Sequence, residues 1–315
     1  MFEGPKHEEK KRESDKSSRR NFLKKAAGAG IVAAGMGVLA RVFYEEKPLQ
    51  SEGKEETRRS AGESRGKSKN ERMREDGAGR VAAEVRFAGE LLRSGDVEQF
   101  LKSPYLISAL YYSDAFLSET VGSKNGNEPI DIIRGIRALV SDEARGRYLT
   151  SFNVLARRKM RGANISSFPV MSPVDRLDFG NGNGHGDAVD AFAREGAPVY
   201  ALQGGVVILA ESGWSEGDLF STSSPKCGNT VLIYSPENNE FFRYCHLDMV
   251  QASPGTALSS GTPIGSVGRS GKNATRQGSA SHVHIESNWY DPVRKKVNAR
   301  TSQFLKQLVQ GAVRP

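Results

Sequence analysis

The sequence predicts a mainly β C-terminal domain, an antiparallel sheet or sandwich, preceded by a small α-helical region and a disordered N-terminal segment. Three observations carry this expectation. After Arg161, short apolar runs (Val199 to Leu202, Val206 to Ala210, Thr230 to Tyr234, Phe241 to Tyr244, Ile264 to Val267) are separated by Gly, Pro, Asn and Ser clusters. That spacing suits antiparallel strands rather than βαβ units. Between residues 81 and 164 the apolar side chains recur instead at helical intervals. From 45 to 80 there is almost no large apolar residue, so this segment cannot bury enough surface to offset its ordering entropy.

Residues 1–44 read as an export segment. Ser18-Arg19-Arg20-Asn21-Phe22-Leu23-Lys24 closely resembles the twin-arginine motif, and a charge-free run rich in Ala and Gly follows from Ala26 to Ala40. The run is short for a membrane span and has the composition of a signal-peptide apolar region. Val38-Leu39-Ala40 offers a cleavage-like site. The expected destination is the periplasm, cell envelope or exterior, with the segment either removed or kept as a membrane anchor. Residues 45–80 follow as a charged linker.

The net charge of +8 suits an anionic polymer. Nucleic acid is not the expected partner, because no interleaved aromatic and basic platform or recognition motif is present. The sequence sets no oligomeric state.

In the helical region, Val81, Val85, Ala88 and Leu92 lie on one helix face, and Val97, Phe100 and Leu101 on a second helix. Pro104 punctuates the chain before a helix over Leu106 to Val121. Ser123 to Pro129 reads as a turn, and Ile130 to Met160 as one long helix. No catalytic constellation appears there.

The chemistry lies further on. Of five histidines, His185, His246, His282 and His284 fall in the β-rich part. His282-Val283-His284-Ile285 alternates polar and apolar residues, the pattern of a half-buried strand in which residues two apart share a face. Both imidazoles should enter one cavity, with Val283 and Ile285 packed behind them. A lone histidine is more often structural than functional. A pair on one strand face, with two more beside Asp and Tyr upstream, argues for a site.

Six ordered stretches carry a resemblance: His185-Gly186-Asp187-Ala188-Val189-Asp190, Glu195-Gly196-Ala197-Pro198-Val199-Tyr200-Ala201, Gly228-Asn229-Thr230-Val231, Tyr244-Cys245-His246-Leu247, Gly261-Thr262-Pro263-Ile264-Gly265 and His282-Val283-His284. Together they resemble the lysostaphin/LytM-type zinc metallopeptidases over about residues 165 to 290, within a domain spanning 165–315. The resemblance implies an antiparallel β core with a groove holding one zinc, and cleavage of peptide bonds in peptidoglycan cross-bridges or stem peptides. It implies His185, Asp190 and His284 as metal ligands, with His246 and His282 as catalytic groups beside the metal. Three N/O ligands with one open position match catalytic zinc chemistry. Non-ligating imidazoles can move a proton and stabilise an oxyanion.

The family usually spaces its first His and Asp as HxxxD, and here one extra residue separates His185 from Asp190. The Gly-rich run before Asp187 could absorb it as a bulge. The Gly196-Ala197-Pro198-Val199 match downstream anchors Asp190, while Asp187 is the rival ligand. Cys227 and Cys245 flank an apparent hairpin. If Pro236 to Asn239 form its loop, Cys245 faces Thr230, and the disulfide stays undecided. The alternative function is a catalytically inactive relative that activates other wall hydrolases. The full ligand set favours the enzyme.

Overall fold

The computed structural model describes residues 69–112, 128–162, 176–178, 188–218, 220–237, 239–275, 278–291, 296–299 and 305. The expected export segment and the linker up to residue 68 lie outside the described residues. Among the described residues no helix is long and apolar enough to cross a membrane.

Among the described residues, five helices come first: α1 (Lys69–Ser94), α2 (Val97–Phe100), α3 (Pro104–Tyr111), α4 (Glu128–Ala138) and α5 (Asp142–Lys159). α1 starts inside the segment assigned to a linker, so residues 69–80 are helical. Val85, Ala88 and Leu91 bury its packed face. Once that part is nucleated, extension through Lys, Glu, Arg and Met costs little.

The long helix expected over Ile130 to Met160 is two helices. The chain breaks at 139–141, where the Ser141 hydroxyl accepts from the Ala144 amide and Asp142 and Glu143 fill the first turn. An N-cap with acidic neighbours at the positive helix end starts α5 afresh. α3 also opens on a cap, with Ser103 accepting from Leu106 N–H and Pro104 at the first position. It closes at Tyr111, and residues 113–121 of the expected longer helix lie outside the described residues.

The strands are β1 (Arg176–Asp178), β2 (Val189–Phe192), β3 (Pro198–Tyr200), β4 (Gly205–Glu211), β5 (Thr230–Ser235), β6 (Glu240–Cys245), β7 (Leu247–Val250), β8 (Ala257–Leu258), β9 (Pro263–Val267), β10 (His282–Asp291) and β11 (Lys296–Ala299). They build an antiparallel sheet in the order β1-β2-β10-β6-β5-β4-β8, with β11 also on β10, and a small sheet β3-β9-β7.

Strand parity decides what each face of the large sheet does. Val189, Ala191, Val231, Ile233, Phe242, Tyr244, Val283 and Ile285 point one way, into a core shared with Val199, Ile264 and Val267 of the small sheet. The alternate residues point the other way, and two structures divide that face between them. The helices cover one part: Tyr111 packs edge-on against Phe241 at 5.5 Å, and Asn153 hydrogen-bonds to Tyr234. The other part carries Asp190, His282, His284 and Glu286 and lines a groove of about 770 Å³. β5 and β6 are therefore buried on both faces.

Candidate active site

The register of β2 against β10 sets Asp190 directly opposite His284 and Phe192 opposite His282. Side chains so paired lie within contact distance. His284 Nδ1–H donates to Asp190 Oδ1 at 2.7 Å, and its Nε2 lies 3.3 Å from Glu286 Oε1. Burial alone would lower the pKa of this imidazole. The hydrogen bonds to Asp190 and Glu286 outweigh burial and hold it up at about 10. His284 therefore stands as an imidazolium between two carboxylates.

His282, one step toward the strand start, stacks on Phe192 with centroids 5.1 Å apart. The Arg176 guanidinium covers the Phe192 ring at 4.0 Å. His282 Nδ1–H donates to the Ala280 carbonyl at 2.8 Å, which leaves Nε2 toward Asp190 Oδ2 at 4.0 Å.

His246 comes from the far side of β10, immediately after β6. Its φ of +66° turns the chain out of the strand, a left-handed conformation that a non-glycine residue adopts only where the surroundings enforce it. Three contacts do so. Its amide donates to the Cys227 carbonyl at 2.8 Å, Leu247 N–H donates to the Asn229 carbonyl, and its own Nδ1–H donates to the Ser270 carbonyl at 2.8 Å. The ring then meets His282 at 5.0 Å and His284 at 5.9 Å. Burial, then the neighbouring His284 and His282, push its pKa down to about 3. His246 is a neutral imidazole whose Nδ1 proton is fixed, so Nε2 presents a lone pair.

The Gly228-Asn229-Thr230-Val231 stretch forms the support. A Cβ on Gly228, whose φ is +69°, would come within 2.3 Å of the Gly271 backbone. Only glycine permits this approach. Asn229 accepts from Trp214 N–H and donates to the Leu247 and Asp248 carbonyls, while Ser270 Oγ accepts from Asn229 N–H.

Four of the five expected site residues thus converge: Asp190, His246, His282 and His284. His185 and its rival partner Asp187 lie outside the described residues. Among the described residues no group of three His, Cys, Asp or Glu side chains is arranged to hold a metal ion. The donors that are described fit zinc in kind, a buried carboxylate oxygen opposite an imidazole nitrogen.

Residues 184–298 match the model of Peptidase family M23. The chain carries an M23 peptidase domain. The lysostaphin/LytM-type resemblance of its motifs holds over that domain. Among solved structures, lysostaphin from Staphylococcus simulans is 22% identical, covering 49% of this chain and 52% of its own, with a TM-score of 0.30. The chain thus spans about half the length of that relative. A putative glycyl-glycine endopeptidase lytM from Ruminococcus gnavus is 17% identical over 69% of this chain and 96% of its own, with a TM-score of 0.35. A zinc-containing peptidase from Vibrio cholerae is 21% identical over 43% and 39%, at 0.30. No curated protein matches the chain.

Two residues of the M23 domain groove escape the sequence reading. Glu286 stands two residues past His284 on the same strand face, and the period-2 pattern already placed it there. Arg243 lies opposite it on β6, buried, with Nη1 at 3.6 Å from Glu286 Oε2 and its guanidinium 4.9 Å over Tyr112. No local signal marks Arg243 as part of the groove. The two cysteines are free and buried. As the hairpin register required, Cys245 sits by Thr230, whose hydroxyl is 3.7 Å from its sulfur. The neighbouring Cys245 thiol is nonetheless the main influence that lowers the Cys227 pKa.

Proposed function

We propose that this chain is a zinc-dependent endopeptidase that hydrolyses peptide bonds in the cross-bridges or stem peptides of peptidoglycan. The M23 match supports the peptidase class. The observation that carries the reading is the convergence of Asp190 and His284, in register on two strands, with His246 and His282 at ring contact beside them.

One zinc would be held by His185, Asp190 and His284, with Asp190 favoured over Asp187 because it already meets His284. Zinc, when bound, polarises the scissile carbonyl and makes water a nucleophile at neutral pH. The chain's own residues do the rest. His246, neutral and with Nδ1–H tied to Ser270, can accept a proton at Nε2. His282, its Nδ1–H tied to Ala280, keeps Nε2 beside Asp190 in the groove, where it can take up a proton and return it. Both rings are fixed before substrate arrives, so little reorganisation is left to the reaction.

Arg176 and Lys226 line the groove, and these two cations would meet the carboxylates of the stem peptides in a cell-wall polymer. Delivery by a twin-arginine-like route would bring the chain, free or membrane-anchored, to that substrate. The test is incubation of the purified full chain with peptidoglycan, following release of new amino groups with and without a zinc chelator. Chelator-sensitive release is expected. A zinc-loaded chain that releases nothing, but stimulates another wall hydrolase, overturns the enzyme reading in favour of a regulator.

A further inference from the structure

Glu286 has no part in the mechanism above, yet it is placed like a component of it. On β10, residues 282, 284 and 286 share one face, and Glu286 is paired across the sheet with Arg243. His284 has a carboxylate at each edge of its ring. At the Nδ1 edge stands Asp190 at 2.7 Å, and at the Nε2 edge stands Glu286 at 3.3 Å. If Asp190 and His284 hold an ion together, Nδ1 would be the nitrogen that serves it, because Nδ1 is the one beside Asp190 Oδ1. Nε2 is then left on the far side of the ring, as a donor in need of an acceptor.

We propose that Glu286 is the positioning residue for His284. Its carboxylate accepts the Nε2 proton and Arg243 holds that carboxylate across the sheet, which would keep Nδ1 beside Asp190 and free to serve a metal. The inference rests on the zinc-peptidase reading and deepens it. A carboxylate on the outer nitrogen of a ligating imidazole fixes the ring and its tautomer and raises its basicity, and losing such a partner typically weakens metal binding 10- to 100-fold. Arg243 is 1% exposed, so it cannot swing away, and a short line of contacts runs from Tyr112 through Arg243 and Glu286 to His284.

Two other roles compete. Glu286 could be a metal ligand itself, although it sits at the wrong edge of the ring. It could also serve only to neutralise Arg243, because a buried cation without a counter-charge is costly.

The experiment uses the full chain and measures zinc affinity by competition with a chromophoric chelator, visible absorption of the Co²⁺-loaded protein, and melting of the metal-free protein. Glu286→Gln keeps the shape and an acceptor but removes the charge. It is expected to weaken zinc binding 10- to 100-fold, to shift the Co²⁺ bands and to lower the metal-free melting temperature. The double variant Glu286→Gln, Arg243→Met removes both charges. It is expected to recover the melting temperature while zinc affinity stays low.

Recovery of zinc affinity in the double variant would show that Glu286 only balances Arg243, and overturns the proposal. So does an unchanged zinc affinity and Co²⁺ spectrum in Glu286→Gln. Complete loss of zinc, as expected for His284→Ala, makes Glu286 a ligand and overturns it too. A wild-type chain that takes up no zinc overturns the zinc-peptidase reading first, and this outcome is separate from all the others.

Discussion

The helical region and the sheet both bury polar side chains, but they bury them against different partners. In the helices the partners are backbone. Buried Arg145 donates from Nε to the Leu110 carbonyl and from Nη2 to Tyr111 and Tyr112, and Arg137 donates to Ala109 and Tyr112. These are the open carbonyls at the end of α3, which every helix must satisfy somehow. In the groove His282 and His246 also use backbone carbonyls, of Ala280 and Ser270, but the remaining partners are titratable side chains: Asp190 with His284, His284 with Glu286, and Glu286 with Arg243. A buried polar group spent on main chain completes a fold. Titratable groups spent on one another, in a groove, mark a place where chemistry is done.

The largest break in that contrast comes from removing a groove histidine. His284→Ala is expected to abolish zinc binding and cleavage together, since a three-ligand site loses a third of its donors. His246→Ala and His282→Ala should retain the metal and lower turnover by roughly 10²-fold or more. Asp190→Ala should behave like His284→Ala, whereas Asp187→Ala should be mild. Metal content by emission spectrometry, measured beside peptide-bond cleavage, reads both properties. Loss of zinc in Asp187→Ala with retention in Asp190→Ala would move the ligand to the earlier residue.

Arg145→Met tests the other kind of burial. It should leave zinc stoichiometry intact but destabilise the protein by about 3 kcal/mol, because the Leu110 and Tyr111 carbonyls lose this donor at once. A urea midpoint shift with unchanged slope is the measurement. A normal midpoint, or a loss of zinc without loss of stability, would erase the distinction between the regions.

The same contrast decides what the sequence could show. Alternation at Val283 and Ile285, the turn residues between strands and the six ordered motifs expose the sheet and four of its site residues, because strand parity is a local rule. Helix ends follow weaker rules. The break before α5 is signalled only by Ser141-Asp142-Glu143, within a run whose apolar periodicity continues, and the start of α1 at Lys69 has no apolar signal at all. Arg243 is beyond any local rule: its place under Glu286 depends on the pairing of β6 with β10, which brings together residues 43 apart in the chain. The Ser270 carbonyl that fixes His246 is likewise supplied by a distant loop.

Glu211 lies on the seam between the two regions and gives a smaller effect with a definite sign. Its carboxylate accepts from Ser223 N–H and from Ser223 Oγ, which also contacts Ser108 of α3 at 2.7 Å. Burial, only partly offset by these bonds, raises its pKa to about 7. The folded state therefore holds this proton more tightly than the unfolded chain does. The stability it contributes is complete below the usual carboxylate pKa and is lost as pH rises toward 7, at roughly 1.4 kcal/mol per pH unit, on the order of 3 kcal/mol in all. Glu211→Gln should flatten that slope. Chemical denaturation of both proteins at pH 5 and pH 8 measures it, and parallel profiles would place Glu211 among the ionised groups.

The smallest expected effect is the sharpest control, because it repeats the chemistry of the groove in the wrong place. Arg158 pairs with Glu98 between α5 and α2, and Lys159 stands 3.6 Å from the same carboxylate. These are the same residue types as Arg243 and Glu286. The difference is water: the side chains of Arg158 and Glu98 are 59% and 44% exposed, while those of Arg243 and Glu286 keep 2% and 28%. In solvent the attraction is screened, and holding two long side chains together costs entropy, so exposed pairs contribute about 0.2–1 kcal/mol. Glu98→Ala should thus move the denaturation midpoint by less than about 1 kcal/mol and leave zinc affinity alone. A loss comparable to that of Glu286→Gln would mean that burial is not what separates the two pairs. Glu286 would then serve general charge balance rather than the orientation of His284.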